Sequence, residues 1–132
     1  PHIVYGKDMG NEHVIPEFIN RFKKLKRKQF KIQGSGQEIR SFIHIDDFIS
    51  AFELIVKKGK HLNIYNIGTS EKVRIKELAY KIAKIVDKKI ILKKSKLQKG
   101  GTKIRLPDIS KIRKLGFKPK FDLNKGLTEV IN

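Results

Sequence analysis

The stretch over residues 34–47, Gly34-Ser-Gly-Gln-Glu-Ile-Arg-Ser-Phe-Ile-His-Ile-Asp-Asp47, constrains this chain more than any other. It reads, in order, as a glycine turn, an arginine, an alternating strand and an acidic helix start. Glycine admits backbone conformations closed to other residues, so Gly34 and Gly36 mark a sharp turn. Arg40 stands at the mouth of a strand predicted over 41–45, in which Phe42 shares one face with His44, and Ile43 shares the other with Ile45. Asp46 or Asp47 is the expected N-cap of the apolar-periodic helix that follows. A guanidinium fork held beside a tight turn suits an anionic ligand such as a phosphate. The same residues also suit a plain hairpin-to-helix connection with an exposed arginine.

The rest of the chain alternates in the same manner. Residues 2–5 are extended and stop at Gly6. Pro16 fits a first helical turn, and Phe18, Ile19, Phe22 and Leu25 recur at helical spacing, which predicts a helix over 16–28 with Arg21 and the following lysines facing outward. Phe30 and Ile32 alternate with Lys31 and Gln33 as a strand. Phe48, Ala51, Phe52, Ile55 and Val56 mark a helix closed by Gly59, and 63–67 reads as a strand ended by Gly68. Ile75, Leu78, Ala79, Ile82, Ile85 and Val86 form the most regular amphipathic helix. A strand over 90–92, a basic loop over 93–105, a short helix capped by Asp108 or Ser110 and a last helix over 123–131 complete the order. Strands alternating with helices predict an α/β fold, and the absence of a linker or repeat predicts one domain over 1–132.

The 132 residues carry a net charge of +18, which raises nucleic acid or an anionic membrane as partner. The balance rests on 25 lysines and only six arginines, spread along nearly the whole chain. Base-edge readers favour the bidentate arginine fork, so nucleic acid is not the expected partner. No cysteine is present, which excludes disulfides, thiolate zinc and a thiol nucleophile within these residues. No apolar run approaches the roughly 20 residues that span a bilayer, no signal peptide precedes the first strand, and a cytoplasmic setting is expected.

Several apparent motifs carry no chemistry. Tyr80 and Lys84 match a Tyr-x-x-x-Lys spacing, but within a regular helix of a lysine-rich chain. Gly34 and Gly36 do not complete a Gly-x-Gly-x-x-Gly fingerprint, since Ile39 takes the third position. The four histidines show no ligand spacing, so no metal site is expected. Ser41, His44 and Asp46 do not make a triad, because alternation sends Ser41 and His44 to opposite faces. What remains is three anion-capable groups at element ends: Arg40 after its turn, Arg105 after the Gly100–Gly101 loop, and His13 with Val14 ahead of a helix N-terminus. Together they suit a diphosphate, each charged hydrogen bond contributing about 1.5–3 kcal/mol.

These residues fall in a familiar order. Pro1-His-Ile-Val-Tyr-Gly6, Val14-Ile-Pro-Glu-Phe-Ile19, the block from Gly34 to Asp47, Tyr65-Asn-Ile-Gly68, Arg105 with Pro107-Asp-Ile-Ser-Lys111, Leu115-Gly-Phe-Lys-Pro119 and Gly126-Leu127 run across nearly the whole chain. The chain resembles the C-terminal portion of the NAD-dependent epimerase/dehydratase family, the extended short-chain dehydrogenases that act on nucleotide sugars. The resemblance implies a substrate-binding lobe of a Rossmann-type enzyme without its glycine-rich NAD-binding half, with 1–6 a strand of that absent domain. It implies that Arg40 and Arg105 hold the diphosphate, that the His13–Val14 backbone reaches the same group, and that Phe30 to Gln33 border the base or ribose. Asn66 would lie near the nucleotide pocket and His2 near the nicotinamide of NAD.

Two departures stand out. Ile3 occupies a position where the family commonly has a substrate-touching Asn, and Gln33 one that is often aromatic. The family's NAD fingerprint and its catalytic Ser/Thr, Tyr and Lys lie upstream of the region covered, and a chain beginning with Pro1 fits a piece of something longer. A UDP-, dTDP- or GDP-sugar is then the expected ligand of the complete enzyme, with epimerisation, dehydration or decarboxylation all open and a homodimer an assembly open to it. The isolated chain is expected to be inactive and marginally stable, since the strand over 1–6 would expose unpaired edges. The rival readings are a lysine-rich nucleic-acid module using 21–31 and a non-catalytic scaffold of the same fold.

Overall fold

In the computed structural model, residues 3–96 and 101–132 are described. Among them the order is β1 (Ile3–Tyr5), α1 (Val14–Lys23), β2 (Gln29–Lys31), β3 (Ile39–Arg40), β4 (Phe42–His44), α2 (Ile45–Lys58), β5 (Val73–Arg74), α3 (Ile75–Ile85), β6 (Ile91–Lys93), β7 (Ile104–Arg105), α4 (Ser110–Lys114) and α5 (Leu123–Ile131). This is an α/β fold with very short strands. β1 pairs with β4 and β2 with β6, both parallel, while β3 lies between antiparallel β5 and parallel β7.

Alternation in β4 works as the sequence predicts. Phe42 enters the larger core and Ile43 a second one, and all three residues of the strand are buried. The larger core is built by α1, α3 and α5 on β2, around Phe18, Phe22 and Phe30. Phe22 stacks on Phe30 at 4.0 Å and Phe18 meets Phe30 edge-on at 5.1 Å. The second core joins Ile43 and Ala51 to Ile67, Ile109, Ile112 and Phe117.

Three sequence expectations need correction. The first helix ends at Lys23 and not at 28, with Lys24 as C-cap. Beyond it the run of like charges has no acidic partner at helical spacing, and the chain leaves to pair β2 with β6. Arg21, on this helix, keeps 38% of its side chain in solvent while its guanidinium lies 4.3 Å from the Phe30 ring centroid. The second helix is capped by His44, whose Nδ1 accepts from the Asp46 N–H at 3.4 Å. Asp46 and Asp47 fall in its first turn, where acidic residues favour the helix dipole. Asp47 is instead recruited over a long sequence distance: its buried carboxylate accepts the Lys120 N–H at 2.8 Å and the Phe121 N–H at 3.0 Å.

The third correction concerns 63–67, which is not a strand. No strand among the described residues falls there, and the next one along the chain is β5. Conversely β3, β5 and β7, two residues each, were beyond the reach of periodicity. One surface of α2 remains apolar and open: Ile45, Ile49, Phe52 and Val56 form a helical row whose exposure rises to 55% at Phe52 and 71% at Val56.

Asp47→Ala is expected to leave the part-buried Lys120 and Phe121 amides without their acceptor and to lower unfolding free energy by about 1–3 kcal/mol in urea denaturation. Gly126 lies inside α5 against the buried Tyr5 ring, where an added Cβ would overlap the phenol. Gly126→Ala should therefore destabilise by about 1–3 kcal/mol, against the usual stabilising direction of a helical Gly-to-Ala change, as read from the same denaturation curves.

Candidate anion-binding site

The parallel register of β3 and β7 sets Arg40 opposite Arg105. Paired residues of neighbouring strands project to one face, so the two side chains, 65 positions apart in a chain of this length, become neighbours. Arg40 is half-buried; its Nη1 donates to the Ile39 carbonyl and its Nη2 to the Thr102 carbonyl, each at 2.8 Å. Burial first, and the Arg105 charge second, lower the Arg40 pKa, while the Glu38 carboxylate opposes them. The guanidinium is thus clamped on two carbonyls beside a like charge, an arrangement that an anion would relieve.

Both arginines line a cavity of about 590 Å³ together with His13, Val14 and Gln33. His13 is the N-cap of α1, with extended backbone and no side-chain cap of its own. The first amides of that helix have no helical acceptor, so the end of α1 adds partial positive charge to the same cavity. Five of the seven residues singled out from sequence therefore meet in one place. Asn66 does not: its amide donates to the Asp108 carbonyl at 3.1 Å, and it is not among the residues lining the cavity. His2 lies outside the described residues.

Sequence reasoning missed four charged residues of this cavity, Glu12, Glu17, Arg21 and Glu38. Arg21 pairs with Glu17 at 2.9 Å and donates to the Lys31 carbonyl. Its i,i+4 acid was visible in the sequence, but the side of α1 that meets β2 was not. Glu38 is buried and accepts from the Ser35 N–H, the Ser35 hydroxyl and the Gly36 N–H at 2.8–2.9 Å. Burial alone would raise its pKa; the bonds from Ser35 and Gly36 outweigh that and hold it below the usual carboxylate value.

One other cluster gathers across sequence. Ligand atoms of His44, Asp46 and Glu129 lie within 4.8 Å of one another. The His44 ring is already employed, stacked on Phe121 at 4.0 Å and edge-on to Tyr5 at 5.4 Å, and the acids are exposed. Ser41 is committed elsewhere: its hydroxyl donates to the Thr69 carbonyl at 2.7 Å. Among the described residues no helix is long and apolar enough to cross a membrane.

The pattern of the NAD dependent epimerase/dehydratase family matches residues 1–68, the portion that contains β1, α1, the glycine turn and Arg40. A probable GDP-L-fucose synthase from Oryza sativa is 36% identical over 90% of this chain and 37% of its own length. A dTDP-D-glucose 4,6-dehydratase from Dictyostelium discoideum is 40% identical over 62% of this chain and 18% of its own. A UDP-glucuronic acid 4-epimerase from Bacillus cereus, solved with a UDP-sugar analogue and NAD, superposes with a TM-score of 0.87 at 26% identity over 98% of this chain and 42% of that one. The chain thus spans well under half the length of the relatives it matches. With the family pattern matching residues 1–68, just over half of the sequence, the chain belongs to the NAD dependent epimerase/dehydratase family.

Proposed function

We propose that this chain holds the nucleotide handle of a nucleotide-sugar substrate, with Arg40 and Arg105 gripping the diphosphate and the N-terminus of α1 facing the same group. The observation that carries this reading is the register that pairs the two arginines at the wall of one cavity. The two planar forks stand side by side, and a diphosphate offers each fork its own phosphate. Gln33, at the near end of the glycine turn, borders the base or ribose in this reading. Relatives named for GDP-, dTDP- and UDP-sugars leave the base open.

The longer enzyme in this proposal oxidises a sugar carbon, alters the keto sugar and returns the hydride. NAD supplies the reversible hydride acceptance. The described residues do not build a cradle for it: the glycine turn at 34–36 opens into β3, not into a helix whose N-terminus could take a dinucleotide pyrophosphate. The contribution of this chain is positioning, since a fixed diphosphate presents the sugar to chemistry performed elsewhere. The open apolar row on α2 supports the same reading, because a continuous row of this kind is what a further α/β portion would cover. No turnover is expected from residues 1–132 alone.

Titration calorimetry with UDP, dTDP and GDP tests the site. Arg40→Ala or Arg105→Ala should each weaken the tightest of these by roughly 10- to 100-fold, the equivalent of about 1.5–3 kcal/mol for a charged hydrogen bond. Absence of heat with all three, in this chain and in the longer protein, would overturn the proposal. The double change Phe52→Ser with Val56→Ser should leave the urea midpoint of the isolated chain within experimental error, because both side chains stand largely in solvent.

A further inference from the structure

Glu38 is the one buried carboxylate at the cavity wall, and its sequence neighbourhood explains why it is there. Gly34 and Gly36 both hold φ of 79°, conformations that glycine adopts without strain. A Cβ on Gly36 would press on Ile32 Cδ1 at 2.7 Å and on Lys76 Cβ at 3.1 Å, so the turn is wedged between the end of β2 and the start of α3. Its carbonyls serve that helix directly: the Ile75 N–H donates to the Glu38 carbonyl at 3.0 Å and the Lys76 N–H to the Gly36 carbonyl at 2.9 Å. The Glu38 side chain then folds back over the turn. Oε1 accepts the Ser35 N–H and hydroxyl, both at 2.9 Å, and Oε2 accepts the Gly36 N–H at 2.8 Å. Two residues further on stands Arg40.

We propose that Glu38 is a positioning residue for the anion cradle, a latch that closes the glycine turn and thereby fixes Arg40 beside Arg105. The inference rests on the cradle reading given above, and adds to it the residue that sets its geometry. The chemistry calls for a carboxylate. Three donors converge on two acceptor oxygens, whereas the isosteric glutamine offers one acceptor oxygen and turns an NH2 group toward an N–H. Aspartate is a methylene too short to reach back across the turn. With the latch open, β3 keeps its pairing to β5 and β7, but the segment that aims Arg40 loses its restraint at one end.

The test uses Glu38→Gln in two arms. In the first, amide hydrogen exchange at Ser35 and Gly36 should accelerate at least tenfold, while Leu127 in the core of α5 keeps its rate. In the second, Glu38→Gln should weaken UDP binding about tenfold in the otherwise unchanged protein and less than twofold in an Arg40→Ala background, the non-additivity expected of two residues acting through one contact. Unchanged exchange at Ser35 and Gly36 would overturn the latch. An equal loss of UDP affinity in both backgrounds would overturn its positioning role, since a general structural defect does not depend on Arg40. Failure of the unsubstituted chain and of the longer protein to bind any nucleoside diphosphate would overturn the cradle reading, while the exchange arm, which needs no ligand, still decides whether the latch exists.

Discussion

Pairing of β3 with β7 brings two guanidinium groups onto one wall of a cavity, and the surrounding structure is organised around that juxtaposition. Like charges this close repel, and burial deepens the penalty by withdrawing water from Arg40. The protein offsets part of it locally. Carbonyls of Ile39 and Thr102 occupy two donors of Arg40, and the Glu38 carboxylate lies close enough to favour its charged form. The cavity is not uniformly basic, since Glu17 is paired with Arg21 and Glu38 is spent on its turn. Glu12 lines the same cavity, so three acids stand among its cations.

Rigidity behind that wall comes from packing. Phe18 and Phe22 of α1 lie against Phe30 of β2, which fixes the angle at which the N-terminus of α1 approaches the cavity. The Ile75 and Lys76 amides at the start of α3 donate to the carbonyls of Glu38 and Gly36, which ties the helix start to the glycine turn ahead of β3. On the far side, Asp47 ties the first turn of α2 to the segment entering α5, and Gly126 lets α5 close on Tyr5. The tyrosine hydroxyl, buried and surrounded by Glu71, Asp47, Asp122 and Glu129, has its pKa raised first by burial and then by those charges, and it remains neutral throughout the ordinary range.

Much of this was legible from residue pattern. The period-3.6 rows of α1 and α3 marked their buried faces, and the apolar alternation of Phe42 and Ile43 placed each in its own core. Arg40 and Arg105 were found because both follow glycine loops, and His13 with Val14 because a proline opens the helix beyond them. Elements of two residues escaped, since neither β3, β5 nor β7 is long enough to show a period of two. Asp47 was read as a cap because capping is a local rule, whereas its actual partners, the Lys120 and Phe121 amides, are supplied by a distant segment. Glu38 was passed over for a similar reason: its role depends on a turn folding back on itself.

The sequence by itself determined which segments are helical, where the chain must turn and which side chains could meet an anion, because those follow from backbone preference and apolar spacing within a few residues. Only the tertiary structure decided which of the candidates share a cavity. Convergence of Arg40 with Arg105 depends on strand register between segments separated by about half of the chain, and a slip of one residue would send one of them to the opposite face. Asn66 shows the converse: a polar side chain in a plausible motif, whose amide the fold commits to the Asp108 carbonyl instead.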